Sequence, residues 1–495
     1  MRKSFKGMAL SLAAIFLLSA CSEEISESKK TDIPEASATT QEENIIVKDN
    51  IELSNIRGEI GEKVDFTVKD LTPNEATELV WIAVDGKYLI EDLYVVNGAD
   101  YTESEIILAE GTADADGKFT GSFEVPDGFG WDHTVRVKQK NQIIGQTNYT
   151  VVPVFEIFPK SGPIGTEITI KAKGIGWSTY MRNWQVTYDN KYTGIMSAVS
   201  TNGSAEGVIR AAGTPGDHVI SIRTGYLGMP YINQTQSPRK NKPTPDLVFT
   251  ITDEAPVNIE NRVEEIPVAA DGGVEMPELT SKDNVKVGLN IEEGVVGEPV
   301  TLTATGLPKD AEVELIWNTM VGSRVSGLGF EGQFETLDTV KTDVNGQLKY
   351  DFTVPDDLGG IPHRLDVKVG DDIYGQAYLR ILPSIVDFSP KSGPVGTKIK
   401  VIIKGGGWTE FDNAYYMTYD NAYIGYMCSF NSQGTLEYEM VATGEPGLHL
   451  IDLYPGIYRW AQTDTDPTLI PQLAYKMDHP GSAMPAVRLA FEITK

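Results

Sequence analysis

Histidine is the side chain best suited to general-base or metal chemistry near neutral pH, and this chain of 495 residues has only five. Four of them stand at matching places, each near the start of an apolar run that follows a turn: His133, His218, His363 and His449. Because each begins the same strand of a separate repeat, we do not expect them to converge on one centre. We predict a structural role, with each imidazole hydrogen-bonded near the end of its strand. The fifth, His479, has no counterpart and is not predicted as a ligand or catalyst.

Carboxylates suggest a second kind of chemistry, because the DADG turn from Asp114 to Gly117 looks like the start of a calcium loop. An EF-hand loop places Gly at its sixth position and a bidentate Glu at its twelfth. Counted from Asp114, the Gly is fourth and the twelfth residue is Val125. The DVNG turn that begins at Asp343 departs from the pattern in the same way. We predict hairpin turns in which Asp, Asn and Gly accept positive φ, with weak calcium binding between domains as the open alternative.

Compact catalytic motifs are missing from the sequence: it has no G-x-S-x-G, H-E-x-x-H, P-loop or C-x-x-C. Its 70 Asp and Glu residues guarantee chance carboxylate pairs, so a pair alone does not predict glycosidase chemistry. We therefore predict a protein that is not an enzyme and uses neither a cofactor nor a metal.

The charge of the chain restricts its partners. The formal charge is −28, and the part that follows the basic N-terminal leader is more acidic still. Nucleic-acid affinity comes largely from cationic contacts to phosphates, so the composition argues against DNA and RNA partners. It also argues against adhesion to anionic lipid by charge, and is typical of a soluble extracellular surface.

The elements that must position these residues are set by an internal duplication. Residues 159–178 read PKSGPIGTEITIKAKGIGWS and residues 390–409 read PKSGPVGTKIKVIIKGGGWT, with 12 of 20 positions identical. The offset of 231 residues continues without a gap through a YDN-x-Y-x-G motif to His218 and His449. A looser pair of units, each with a Trp in an LVW or LIW strand, precedes the two copies. The order of the units is therefore A-B-A-B.

Each unit has about 100 residues and about seven short strands separated by turns, which is the profile of an immunoglobulin-like sandwich. Alternation supports this, because His133, Val135 and Val137 would share one face of a strand. The predicted fold class is all-β, with four tandem immunoglobulin-like β-sandwich domains. The predicted ranges are 47–153 for A1, 154–253 for B1, 285–383 for A2 and 384–495 for B2, with a Pro- and acid-rich linker at 254–284.

The B units resemble IPT/TIG domains in their SGPIGT and SGPVGT openings, each followed by a strand and G-x-G-W. All four units resemble bacterial immunoglobulin-like modules with a D-x-x-G turn and a strand that ends in VP or a similar turn. The A units lack the PxSGPxGT opening of the B units. The resemblance covers most of the chain after residue 50 and implies the fold. For function it implies a spacer, an adhesive part or a binding surface, without naming a ligand.

The first 46 residues predict export and anchoring. A basic start and an apolar run at 8–18 form a secretory signal that is too short to span a membrane. The string LSAC at 18–21 resembles the lipobox of bacterial lipoproteins. This implies that residues 1–20 are removed and that Cys21 carries acyl chains such as palmitate, on the extracytoplasmic face of the cell membrane. Plain secretion with an unmodified thiol is the alternative. Residues 21–46 are predicted to be a disordered tether.

Aromatic residues in the B units are the best candidates for recognition. Each B unit has a long connection before its last strand, whereas the A units have only a tight hairpin there. Loops at one end of a sandwich often carry binding, and Tyr, Trp and Arg supply large contact areas. The predicted ligand-binding residues are Tyr226, Tyr231, Tyr458, Arg459, Trp460 and Tyr475. The alternative is that these side chains fold back onto a sandwich edge or the next domain.

The resulting functional hypothesis is a non-enzymatic cell-surface lipoprotein that acts in binding or adhesion. The aromatic loops of the two B domains would face a polysaccharide or a surface protein, and two equivalent weak sites would raise avidity for a repetitive target. The alternative is a structural spacer or scaffold subunit for a membrane-bound partner, in which those loops are buried between domains.

Overall fold

β-Strands form the whole framework of the protein in a computed structural model. It describes residues 49–91, 93, 95–178, 181–226, 229–237, 242–267, 274–323, 329–407, 414–429, 432–456, 471–480 and 484–495. Within these ranges the single helical element is a short 3-10 turn, Gln234–Gln236. The predicted all-β class with four tandem sandwiches is confirmed.

The first sandwich, A1, pairs a three-stranded sheet, β1-β3-β6, with a five-stranded sheet, β2-β8-β7-β4-β5. Its strands are β1 Ile51–Leu53, β2 Arg57–Gly58, β3 Lys63–Val68, β4 Ala76–Glu91, β5 Val95–Thr112, β6 Phe119–Glu124, β7 Trp131–Gln139 and β8 Gln142–Val151. The first strand is split between the two sheets, and its second half, β2, runs parallel to the last strand, β8.

The second sandwich, B1, repeats this plan, with sheet β14-β11-β9 opposite sheet β10-β17-β15-β12-β13, and β16 pairing with β15. Its strands are β9 Val154–Phe158, β10 Ser161–Gly162, β11 Glu167–Lys173, β12 Trp184–Tyr188, β13 Lys191–Met196, β14 Ala205–Arg210, β15 Gly216–Tyr226, β16 Met229–Pro230 and β17 Asp246–Ile251. The strand after it, β18 Arg262–Val263, pairs with a strand of the fourth sandwich.

The third and fourth sandwiches, A2 and B2, follow the same order. In A2 the strands are β19 Lys286–Leu289, β20 Glu293–Val295, β21 Pro299–Thr305, β22 Glu312–Ser323, β23 Gly329–Lys341, β24 Leu348–Thr353, β25 His363–Val369 and β26 Asp372–Leu382. In B2 they are β27 Ser384–Ser389, β28 Ser392–Gly393, β29 Lys398–Lys404, β30 Ala414–Tyr419, β31 Ala422–Cys428, β32 Leu436–Val441, β33 Gly447–Pro455 and β34 Val487–Ile493. Their sheets are β19-β21-β24 with β20-β26-β25-β22-β23, and β27-β29-β32 with β18-β34-β33-β30-β31, where β28 also pairs with β34.

Alternation of side chains builds each core, because successive residues of a strand point to opposite faces. In β7, His133, Val135 and Val137 are buried on the inner face, as the sequence predicted. The Trp of each A unit is also buried, and Trp81 stacks on the His133 ring with centroids 4.5 Å apart. In B1 the large core aromatic is Trp184, which begins β12.

Two long hairpins distinguish the A sandwiches from the B sandwiches. In A1, β4 and β5 remain paired from Ala76 and Thr112 out to Glu91 and Val95, well past their neighbour β7. In A2, β22 and β23 do the same as far as Ser323 and Gly329. Neither ribbon was predicted from the sequence. Apolar residues of their outer parts, such as Tyr88 in A1 and Met320 in A2, pack into small satellite clusters that hold residues from several sandwiches.

The stretch predicted as a linker also takes part in the fold. Arg262 and Val263 add a strand to the edge of the B2 sheet by pairing with Arg488 and Val487. Further on, the backbone N–H and side-chain hydroxyl of Thr280 donate to Gln376 Oε1 on the outer face of A2, at 2.8 and 2.9 Å. Residues Ile46–Lys495 form one compact unit.

Candidate binding surfaces

The four repeated histidines lie in four different sandwiches and act within them. In A1, His133 Nδ1 lies 2.9 Å from the Ile82 carbonyl oxygen and Nε2 lies 2.7 Å from that of Phe129. Burial lowers the pKa of His133. These contacts tie the start of a strand to its neighbours, which agrees with the predicted structural role.

The B histidines differ because each contacts the Asp of the YDN motif. His449 Nδ1 lies 2.6 Å from Asp420 Oδ2, and His218 Nδ1 lies 2.6 Å from Asp189 Oδ2. The hydrogen bond to Asp420 raises the pKa of His449. Each Asp also accepts the backbone N–H that follows the His, so the motif ties two strands together.

The prediction that the two acidic turns are hairpins is wrong, because each turn joins strands of opposite sheets: Asp114–Gly117 leads from β5 to β6, and Asp343–Gly346 leads from β23 to β24. Positive φ falls on the glycines alone, at 71° for Gly117 and 74° for Gly346. Asp114 Oδ1 accepts the backbone N–H groups of Asp116 and Lys118 at 2.9 and 2.8 Å, so its carboxylate caps its own turn. Asp189 and Asn190 have φ of 48° and 63°, the left-handed values that a two-residue hairpin turn requires. Within the described ranges, no group of three or more His, Cys, Asp or Glu side chains is placed to hold a metal ion.

The loop after β15 presents an exposed apolar patch, which we call the B1 loop patch: Met229, Tyr231 and Ile232. The exposed fractions are 62% for Met229, 38% for Tyr231 and 87% for Ile232. The backbone is held in place, since Gly225 and Tyr226 pair with Pro230 and Met229, and the Tyr231 N–H donates to the Thr224 carbonyl at 3.0 Å. Three exposed apolar side chains therefore lie within four consecutive residues of an ordered turn.

Tyr475, the predicted binding residue of the B2 connection, lies in the interior. It is buried next to Tyr454, with ring centroids 6.2 Å apart, in a cluster with core residues of B1. Its hydroxyl donates to Glu264, and burial raises its pKa well above the usual value. The open alternative, in which these aromatics pack against a neighbouring domain, therefore describes Tyr475.

Other predicted positions lie outside what the structure describes. Tyr458, Arg459 and Trp460 are not among the described residues, and neither is the predicted lipidation site Cys21. For Tyr226 the backbone of β15 is described, and it lies beside the B1 loop patch. In the described part of the chain, none of the elements is a helix of the length and apolarity needed to cross a bilayer.

A buried charge network, which was not predicted from the sequence, joins B1 to B2. Arg210 of β14 lies with its Nη2 2.7 Å from Asp452 Oδ1 of β33, and Arg488 Nη1 lies 3.3 Å from the same oxygen. All three side chains are essentially inaccessible to solvent. Arg210 also donates to the Leu489 carbonyl at 2.7 Å. Charged residues in otherwise apolar strands, such as the Arg of GVIRAAG, are the sequence signal for such an interface.

Glu264 extends the network into the stretch between the halves of the chain. Its Oε1 accepts from Arg488 Nε at 2.7 Å, and its other oxygen contacts Lys476 at 3.2 Å and the Tyr475 hydroxyl. Burial opposes ionisation of this carboxyl, but Arg488, the Tyr475 hydroxyl and Lys476 outweigh it and lower the pKa of Glu264 to about 2. A fully ionised Glu264 therefore fastens the linker to B2.

A short segment of B2, residues 471–474, completes the B1 sandwich. We call the gap between the edge strand β13 and the facing strand β14 the B1 seam. Ile195 N–H donates to the Pro471 carbonyl at 2.9 Å, Leu473 N–H donates to the Ile195 carbonyl at 2.8 Å, and Val208 N–H donates to the Leu473 carbonyl at 3.2 Å. Leu473 is buried in the B1 core. B1 is thus closed by a short segment, bridged to β13 at Gln472, that lies more than two hundred residues further along the chain.

Asp478 fixes the end of this segment where A1, B1 and B2 meet. Its carboxylate accepts from Ser200 N–H at 2.9 Å, Ser200 Oγ at 2.8 Å and Tyr88 Oη at 3.1 Å, and also from the Ser197 hydroxyl. Tyr88 belongs to the long ribbon of A1. The carboxylate is buried yet fully hydrogen-bonded, as a buried charge requires.

Comparison with known proteins gives no family. No family model and no curated protein matches the sequence. The ICAM-5 D1-D4 ectodomain is 11% identical, covering 90% of this chain and 99% of that one, with a TM-score of 0.18. A putative membrane-anchored protein from Corynebacterium diphtheriae is 12% identical, covering 67% and 89%, with a TM-score of 0.17.

A mutant Salmonella alpha-2-macroglobulin is 10% identical, covering 90% of this chain at a TM-score of 0.18, and the chain spans 31% of its length. TM-scores this low do not establish a relationship between this chain and those proteins. The fold assignment therefore rests on the sheets themselves.

Proposed function

We propose that this chain is a non-enzymatic binding lipoprotein of the bacterial cell surface, with IPT/TIG-type B domains. The observation that carries the binding function is the B1 loop patch. Met229, Tyr231 and Ile232 stand exposed within four consecutive residues of an ordered turn, on a chain whose formal charge is −28. An exposed apolar patch with a polar surround is typical of an interaction site.

The B1 loop patch is the part of the proposal that the described residues support. Tyr475 of the B2 connection is engaged with Glu264 and Tyr454 inside the molecule, so it does not contribute to a B2 loop site. The other B2 candidates, Tyr458, Arg459 and Trp460, lie outside the described residues, and a second site there stays a prediction.

Lipid attachment at Cys21 is the second part of the proposal and rests on the LSAC motif behind a short apolar run. Intact mass measurement of the membrane-extracted protein would test it. Loss of residues 1–20 with added acyl mass on Cys21 supports it, and release of Cys21→Ala into the medium is expected. A mature protein with an unmodified thiol would refute it.

A glycan and cell-wall-polymer array tests the binding part, with the chain from Ser22 onward as probe. The test variant is the double change Tyr231→Ala and Ile232→Ser, and the matched control is Val395→Ser, an apolar residue that is also exposed, on B2. Binding that the double variant loses and the control keeps supports the proposal. Binding that both keep, or an array with no signal, refutes a polymer-binding B1 loop.

A scaffold for a membrane-bound partner is the second candidate. The interlocking of B1 and B2 through Asp452 and residues 471–474 favours it, because a rigid body is what a spacer needs. Co-purification of one membrane protein with the acylated chain, unchanged by the Tyr231→Ala and Ile232→Ser variant, would favour the scaffold over the binding module.

A further inference from the structure

A row of four side chains, which we call the A2 row, crosses the A2 sheet from one strand to the next. Phe334 of β23 is paired directly with Asn318 of β22, and Arg364 of β25 is paired directly with Tyr378 of β26. The two pairs are joined in the middle, because Asn318 Nδ2 donates to the Arg364 carbonyl at 2.9 Å and Arg364 Nη2 donates to Asn318 Oδ1 at 3.3 Å. Two planar polar groups therefore lie between two aromatic rings.

The A2 row faces away from the core of its sandwich. Trp317, Leu365 and Leu379, each next to a member of the row along its strand, are buried in the A2 core. Successive side chains of a strand point to opposite faces, so the row lies on the outer face of the sheet. It crosses four neighbouring strands, and three spacings of about 4.8 Å make it about 14 Å long.

The row lines a cleft of about 360 Å³. The ribbon of A2 contributes Met320 to the lining, and the stretch between the halves of the chain contributes Met276 and Pro277. The Tyr378 hydroxyl donates to the Pro277 carbonyl at 2.8 Å, which fixes that stretch beside the row. A volume of about 300–1,000 Å³ is typical of clefts that hold a small ligand.

The lining of this cleft differs in charge from the rest of the chain. The sequence has 70 Asp and Glu residues, yet none of the described residues that line the cleft is acidic, and Arg364 is the only Lys or Arg among them. Asp366, which is 4% exposed, balances this arginine by accepting from its Nε at 2.8 Å and its Nη2 at 3.1 Å. The cleft is therefore polar without a net charge, which argues against a phosphate or another strongly charged ligand.

Asp366 also holds the centre of the row in one geometry. The same carboxylate accepts from Asn318 Nδ2 at 2.9 Å and from Gln376 Nε2 at 2.7 Å. The hydrogen bonds of Arg364 to described residues use its Nε and Nη2, so its Nη1 amino group is left for a ligand. Polar groups fixed in this way bind without a large ordering cost.

The sandwich itself does not require these four residues. A1 has the same frame, because His133 contacts the carbonyl of Ile82 as His363 contacts that of Asn318, at 2.9 Å in both. At the positions of the row, the paired residues of A1 are Glu105, Ile82, Thr134 and Asn148. In A2, moreover, Phe334 leaves 72% of its surface exposed, so its ring contributes little to the core.

We propose that the A2 row is a binding site for an oligosaccharide without strong charge. The flat C–H face of one sugar ring would stack on Phe334, and hydroxyl groups would bond to Asn318 and to the Nη1 group of Arg364. Its length of about 14 Å spans roughly two or three sugar rings, with Tyr378 at the far end. The site lies on A2 and is separate from the B1 loop patch.

The chemistry of the row favours a sugar over an apolar ligand. A lipid chain or an apolar side chain would cover the amide and the guanidinium without bonding to them, and polar groups covered in this way lower affinity. A sugar ring satisfies both parts of the site, because it has an apolar face and a rim of hydroxyl groups. Asn318 can donate and accept, and Arg364 donates, so together they match hydroxyl groups that do both.

Isothermal titration of the full chain from Ser22 is the test, with hexamers of β-1,4-linked glucose and of β-1,4-linked N-acetylglucosamine as probes. At least one hexamer is expected to bind with a Kd on the order of 100 µM, because one stacked ring and a few hydrogen bonds have to outweigh the ordering of the sugar. Phe334→Ala should weaken binding about tenfold, and Phe334→Trp should retain it. Arg364→Lys keeps the charge but loses the planar fork, and should weaken binding about fivefold.

Phe158→Ala is the matched control, because Phe158 is 71% exposed on B1 and lies outside the A2 row. It should leave binding unchanged, and Phe334→Ala should unfold at the wild-type temperature because its ring is exposed. No binding of either hexamer at about 5 mM, far above the expected Kd, would overturn the proposal.

The Tyr231→Ala and Ile232→Ser variant separates this site from the B1 loop patch. Binding that this variant keeps and Phe334→Ala loses supports the A2 row, whatever the B1 loop does. Binding that Phe334→Ala and Arg364→Lys keep at the wild-type level overturns the proposal. If the Tyr231→Ala and Ile232→Ser variant then loses it, the sugar lies at the B1 loop patch, and the function proposed for that patch stands.

Discussion

The change Leu473→Ala tests whether a B2 segment is part of the B1 core. Leu473 is fully buried among B1 residues, between Gly194 and Gly207. Replacing a buried Leu by Ala typically lowers the free energy of unfolding by about 2–5 kcal/mol. We expect a loss of about 3 kcal/mol here, because the rigid strands on both sides of the B1 seam limit how far the cavity can collapse. The free energy of local opening of β13 and β14 should fall by that amount, although the substitution lies in B2.

Hydrogen exchange measured by mass spectrometry is the assay. Where exchange reports local opening, a loss of about 3 kcal/mol accelerates it by about 100-fold, because each 1.4 kcal/mol is a factor of ten. The acceleration should appear in peptides that cover Lys191–Met196 and Ala205–Arg210. Exchange in the peptide that covers Tyr231 should stay unchanged, because the Tyr231 N–H donates to the Thr224 carbonyl and not to the seam.

Leu436→Ala is the matched control, because Leu436 begins β32 and is buried in the core of B2 itself. It should accelerate exchange in B2 and leave β13 and β14 of B1 as they were. If Leu473→Ala accelerates exchange only within B2, B1 is closed without the segment. That result would refute the shared core.

Three further predictions concern the charges of the B sandwiches. Asp452→Ala should cost about 3–5 kcal/mol in urea unfolding, because it leaves Arg210 and Arg488 buried without their carboxylate; a loss below about 1 kcal/mol would mean that water reaches the arginines. Because the pKa of Glu264 is lowered to about 2, its ionised carboxylate stabilises the fold fully above about pH 4.5, and this stabilisation, on the order of 3 kcal/mol, is lost as the pH falls towards 2. Glu264→Gln should therefore flatten the dependence of the free energy of unfolding on pH between about 4.5 and 2. An unchanged dependence would contradict this prediction. Because the pKa of His449 is raised, the stabilisation from its protonated ring is complete below about pH 6.5 and is lost as the pH rises through the folded-state pKa. Asp420→Asn should lower the pKa of His449 in an NMR titration and leave the pKa of His133 unchanged. If neither pKa shifts, the hydrogen bond between Asp420 and His449 is contradicted.

The strand pattern was predictable because it depends on neighbours in sequence. A residue and the one two places on share a face, so the buried set of His133, Val135 and Val137 could be read directly. The turns were predictable for the same reason, since Asp114 caps its own turn with its own carboxylate. The long ribbon of β4 and β5 was not, because its outer half is held by other sandwiches.

The sequence did not distinguish the exposed candidate residues from the buried ones. Tyr231 and Tyr475 look alike in sequence, as tyrosines in a long connection before the last strand of a B unit. Tyr231 is exposed, while Tyr475 is buried with its hydroxyl on Glu264. What separates them is whether a partner domain lies against the loop, and that depends on surfaces that are far apart in the chain.

By itself, the sequence determined the duplication, the sandwich class and the positions of the turns, because each of these follows from spacings of a few residues or from identity between the copies. Only the tertiary structure decided that Arg210 meets Asp452 and that residues 471–474 close the B1 seam. The physical reason is that these contacts join residues more than two hundred positions apart, so no local spacing or periodicity encodes them.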